Sequence, residues 1–132
     1  MTKWLNSLQP WGALLVRLSL GLSMAVHGYE KVIPHGALNH FAHHVVTLGL
    51  PYWLGYVSAY TEFVGGILLL LGLLTRLAAA LVAINMFTAL FTVGIHQGFG
   101  IYNYILALAV MAVMLLFCGP GRLAVDRKIG FA

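Results

Sequence analysis

Charge is scarce in these 132 residues: three acidic and seven basic side chains make up only 8% of the chain. A water-soluble domain carries about 25% charged residues, so water is not the main solvent here. The formal net charge of +4 is not a nucleic-acid footprint, because the charges are few and lie between apolar runs. Cysteine is reduced to one residue, Cys118, which excludes an internal disulfide and any CxxC redox motif. That cysteine reads as a small apolar residue near a helix end. A Gly-rich phosphate loop, a GxSxG elbow and an HExxH zinc motif are all lacking.

What the chain has instead is hydrophobicity, at 61% of residues and a mean hydropathy of +0.95. Four apolar runs stand out, at about residues 11–33, 52–74, 77–95 and 101–118. Each is near the ~20 residues that a membrane-spanning helix needs. Ser23-Met24-Ala25 in the first run resembles a signal-peptide cleavage site. Arg17 interrupts the would-be apolar core, however, and the hydrophobicity continues past the site, so the run reads as a span. Between the first two runs lies a stretch punctuated by Pro34, Gly36 and Pro51. Within it, Leu38, Phe41, Ala42 and Val45 fall on one side of a helical wheel, and Asn39, His40, His43, His44 and Thr47 on the other. That pattern predicts a short amphipathic helix, lying at the interface or capping the bundle. The fold class expected is all-α: one domain, an integral membrane four-helix bundle with that short interfacial helix between spans 1 and 2.

Four spans put both termini and the turn at Arg76 on one side. That side holds Lys3, Arg76, Arg122, Arg127 and Lys128, whereas the other holds only Lys31 among lysines and arginines. The positive-inside rule predicts a multi-pass protein with both termini in the cytoplasm. The lipid bilayer is the first partner expected.

Polar residues inside such spans are the candidates for function. Glu62 is set in the second run, and a charge at bilayer depth costs about 2.5–3.5 kcal/mol on insertion scales, so it should face protein or water. Gly55, Ser58, Ala59, Gly65, Gly66 and Leu69 fall near its face at 100° per residue, and small residues let another helix approach. Arg17, Gly21, Met24, Gly28 and Lys31 cluster on one face of the first run, with His27 at its margin. Asn85, Thr88, Thr92 and His96 share a face of the third. Depth along the helices makes Arg17, His27 and Asn85 candidate companions of Glu62. Asn85, Thr88 and Thr92 also suit ordinary interhelical hydrogen bonding, and Arg17 suits snorkelling to the cytoplasmic interface.

His40 and His44 lie four apart on one helical face with His43 adjacent, and imidazoles suit zinc or copper. His35, His96 or Glu30 would complete a ligand set from the same side. An exposed polar helix face accounts for the same residues. A haem would need axial ligands at depth, for which only His27 and His96 are candidates, and both lie high.

Taken together, the motifs resemble the DoxX family. Arg17-Leu18 followed by His27-Gly28-Tyr29-Glu30-Lys31, Leu48-Gly49-Leu50-Pro51, Glu62-Phe63-Val64-Gly65-Gly66 and Leu71-Gly72-Leu73-Leu74-Thr75-Arg76 carry the likeness. Gly119-Pro120-Gly121-Arg122-Leu123 with Asp126 extends it nearly to the end of the chain. The resemblance implies a small four-span bacterial membrane protein linked to membrane redox complexes or thiol stress, with Arg17, His27, Lys31 and Glu62 as positions to watch. The leading expectation is a redox-associated subunit of a quinone-linked oxidoreductase, binding a quinone-like or other small amphipathic ligand between its helices. Glu62 would exchange a proton or hydrogen bond, tuned by Arg17 and His27, with Lys31 and Asn85 in the pocket. Two further expectations are a non-catalytic scaffold that recruits a redox-enzyme partner, and a transporter of a small solute or proton. A homo-oligomer fits either, and transport in particular would need a dimer, since four spans enclose a narrow interior.

Overall fold

Glycine and proline punctuation sets where the apolar runs start and stop as helices in the computed structural model, which describes residues 2–130. A short α1 (Thr2–Ser7) leads into α2 (Gln9–Val32). Pro10 sits in the first turn of α2, where a missing N–H is no loss. The amphipathic α3 spans Ala37–Thr47 and α4 Tyr52–Leu71. Helix α5 runs Thr75–Thr92 and continues as a 3-10 turn at Gly94–His96. Helix α6 (Phe99–Cys118) and a short α7 (Val125–Ile129) complete the described residues, among which no strand occurs.

The four long helices pack in chain order, α2 on α4, α4 on α5 and α5 on α6. Helix α6 returns against α2 over a smaller shared face. Three helices are long and apolar enough to cross a membrane: α4, α5 with its 3-10 extension, and α6. Helix α2 is longer than these, at 24 residues, but carries Arg17, Glu30 and Lys31. The protein is a multi-pass membrane protein. Its outer surface agrees, with Leu15, Ile84, Phe91 and Phe117 all more than 60% exposed. Such side chains have no place in water but suit lipid tails.

Helices α2 and α4 meet through glycine. A Cβ at Gly28 would strike the backbone of Phe63, and one at Gly66 the backbone of Ala25. Gly21 lies near Leu70 less tightly, with a Cβ 2.9 Å from its backbone nitrogen. These contacts fix an antiparallel register in which the C-terminal end of α2 stops beside the middle of α4. The first turns of α4 overrun it, and α3 covers them: Gly55 faces Ala42, where a Cβ would lie 2.6 Å from the Ala42 Cα. Ala42 and Val45 are buried, while His40, His43 and His44 are exposed, as the amphipathic pattern predicts. The α5–α6 side of the core is aliphatic, built from Val82, Met86, Leu108, Ala109 and Leu115 with Leu20, Met24 and Leu69.

Candidate functional site

Helix α4 turns Gly55, Ala59, Glu62, Gly65, Gly66 and Leu69 inward, the face expected from 3.6-residue periodicity. Glu62 is 3% exposed. Its Oε2 accepts from the Lys31 Nζ at 2.5 Å, the one ion pair among the described residues. Lys31 belongs to the last turn of α2, and its ammonium also lies 4.3 Å from the centroid of the Phe41 ring of α3. A cation over an aromatic face gains about 0.5–2 kcal/mol. Three elements therefore build the site. Helix α4 carries the acid, α2 ends where the base can reach it, and α3 lays a ring over the base. The Oε1 of Glu62 accepts no hydrogen bond from any described residue.

The other expected companions are engaged elsewhere. Asn85 of α5 accepts from Ser58 Oγ at 2.5 Å, and Ser58 is one helical turn from Glu62 on α4. Asn85 thus reaches the carboxylate's neighbourhood only through Ser58. His27 is half-buried and packs edge-on to Tyr104 of α6, with ring centroids 6.4 Å apart. Arg17 precedes Lys31 by 14 residues, about 21 Å along α2, too far to share its site.

Arg17 instead organises the opposite end of the bundle. It is 1% exposed and donates from Nη1 to the Leu69 carbonyl (3.3 Å), and from Nη2 to those of Arg122 (3.0 Å) and Leu123 (3.1 Å). A cation is well placed at the carbonyl end of a helix such as α4. Asp126, from α7, is equally buried and accepts the Leu74 and Thr75 amides at 2.6 and 2.8 Å, capping α5 from a distant part of the chain. Gly72 closes this knot. Its φ of +69° permits the turn, its carbonyl accepts from the Asp126 amide, and a Cβ there would strike Arg17 and Ala124. Periodicity gave no signal for this cluster, because its partners are carbonyls and amides that carry no sequence mark.

The histidines of α3 do not converge. His40 and His44 are exposed one turn apart, while His43 lies 5.2 Å, ring to ring, from Tyr52. Among the described residues no three His, Cys, Asp or Glu side chains come together as a metal-holding group. A metal on the His40–His44 pair would need ligands from beyond those groupings.

Arranged this way, Lys31 and Glu62 present one donor and one acceptor at the same point between apolar helices. That combination can hold a group bearing a carbonyl, a hydroxyl or both. It can also pass a proton between the ligand and the carboxylate.

The DoxX family model matches residues 12–95, which contain both Lys31 and Glu62. A protein of Bacillus subtilis (strain 168) named "Putative oxidoreductase CatD" is 33% identical over 119 residues, covering 87% of this chain and 84% of the relative. No solved structure matches. The family match over most of the chain, and a relative of one-third identity along nearly all of it, make this protein a member of the DoxX family.

Proposed function

We propose that this DoxX protein is a redox-associated membrane subunit whose Lys31–Glu62 pair binds a quinone-like or other small amphipathic ligand. The observation that carries the reading is the buried Glu62 carboxylate, with one oxygen on Lys31 and the other without a protein partner. An oxidised quinone offers carbonyls, which accept from an ammonium; a reduced one offers hydroxyls, which donate to a carboxylate. The pair therefore has a partner for each redox form. Glu62 is the residue that would take or give a proton, and Lys31 the one that orients the ligand. The name of the Bacillus relative points in the same direction, toward oxidoreductase chemistry.

In this reading α2 is the fourth span, with Arg17 buried, Lys31 turned to Glu62 and Glu30 exposed in its last turn. The basic end of the bundle, with Lys3, Arg76, Arg122, Arg127 and Lys128, faces the cytoplasm across a bacterial inner membrane. The redox enzyme that it serves would meet the quinone pool through the site.

The test is titration of a short-chain quinone analogue into the purified protein in nanodiscs, read by calorimetry. Losing one charge-assisted hydrogen bond costs about 1.5–3 kcal/mol, so Glu62→Gln and Lys31→Met should each weaken binding by about ten- to a hundredfold. Unchanged affinity in both variants would remove the pair from any ligand site.

A further inference from the structure

The seam between α2 and α6 is open at the basic end of the bundle. A groove of about 790 Å³ lies there, within the roughly 300–1,000 Å³ range of small-molecule clefts. Its composition is graded. At the chain-terminal rim stand Asn6, Ser7, Gln9 and Arg127, and deeper along the helices stand Gly12, Val16 and Met114. Gln9 to Val16 covers about 10 Å of α2, so a polar mouth leads onto an apolar track that runs with the helices. That is the shape of a lipid: a headgroup at the interface and a chain along the seam.

The charge around the mouth selects the sign of the headgroup. Arg127 uses Nε on the Gly121 carbonyl and enters no ion pair among the described residues, so both terminal nitrogens remain for a ligand. Arg122 stands beside it over the exposed Trp11 ring, 5.7 Å from its centroid. Lys128 and Lys3 are exposed at the same end. The nearby acid, Asp126, is buried and occupied by the Leu74 and Thr75 amides, so it does not offset them. Basic clefts between membrane helices fit anionic phospholipid headgroups, and guanidinium groups match phosphate geometry.

We infer that this groove is a binding site for an anionic phospholipid, with Arg127 on the headgroup phosphate and an acyl chain lying over Gly12, Val16 and Met114. The site is separate from the Lys31–Glu62 pair, since Trp11 and Lys31 stand at opposite ends of α2, about 30 Å apart.

Gly12 supplies a clean probe. A Cβ there would meet nothing within 4 Å, so Gly12→Leu can enter the track without a clash at its Cβ. The experiment uses the full chain in nanodiscs, with Trp4 and Trp53 replaced by phenylalanine so that Trp11 reports. Brominated phosphatidylglycerol and brominated phosphatidylcholine are compared as quenchers of that tryptophan, with circular dichroism and gel filtration as fold controls. Phosphatidylglycerol should be preferred by about fivefold. The preference should vanish in Arg127→Gln. Gly12→Leu should weaken quenching by phosphatidylglycerol while leaving quenching by phosphatidylcholine unchanged. Equal quenching by both lipids overturns the site, as does a preference that survives both substitutions. Full reversal by inorganic phosphate at equal concentration also overturns it, because the headgroup alone would then account for binding.

Discussion

At Glu62 and Lys31 the two ends of one ion pair differ in their access to water. The Glu62 side chain is 5% exposed and that of Lys31 30%. Removing the base therefore strands a buried carboxylate, while removing the acid leaves a lysine that can swing outward on its flexible stem. Lys31→Met should cost about 3 kcal/mol of stability, Glu62→Gln about 1 kcal/mol, and the double variant should recover most of the larger loss. Thermal unfolding of the purified variants in detergent checks this, and equal losses would mean that the carboxylate is not held as a buried charge. The carboxylate's inward orientation was legible, because hydrocarbon leaves a charge little alternative. Lys31 was expected in the same pocket, but not as the group in direct contact with the carboxylate. Treating the spans as level with one another made Arg17, His27 and Asn85 the companions of Glu62. The glycine contacts at Gly28 and Gly66 instead set the register and bring up Lys31.

Among the elements, the α2–α4 contact and the terminal knot are the most exacting. Gly66→Leu drives a side chain into the backbone of Ala25, and Gly28→Val does the same at Phe63. Each should destabilise the bundle by about 1–3 kcal/mol through overpacking. Gly12→Ala on the same α2, with open space around it, should gain up to about 1 kcal/mol from helix propensity. Denaturant titration followed by circular dichroism separates these outcomes. At the other end, Asp126→Ala removes the cap from α5 and should cost about 0.5–2 kcal/mol. Arg17→Met frees the carbonyls of Arg122 and Leu123, so a protease should cut after Leu123 faster than in the parent. Helix α3 was legible as an amphipathic piece at the interface or capping the bundle, with Ala42 and Val45 on its apolar side, and both are buried. That its Phe41 ring would cover Lys31 was not, since nothing local in α3 marks which side chain lies beneath it.

For the molecule as a whole, topology is the property to measure. With Cys118 replaced by serine, Ser7→Cys and Thr47→Cys each place one thiol at opposite ends of the bundle. A membrane-impermeant maleimide applied to intact cells should label the second and spare the first; the reverse would invert the proposed orientation. The sequence by itself determined the solvent, the helices and the inward face of α4. Those follow from composition, from punctuation by Pro34, Gly36 and Pro51, and from a carboxylate that lipid cannot accommodate. Tertiary structure alone decided which charges meet. Pairing depends on how far antiparallel helices slide past each other before small residues lock. It also depends on a tail that returns to Arg17 and Gly72 from far along the chain. The small residues can be read from the order of residues, but which of them meet, and where the tail docks, cannot.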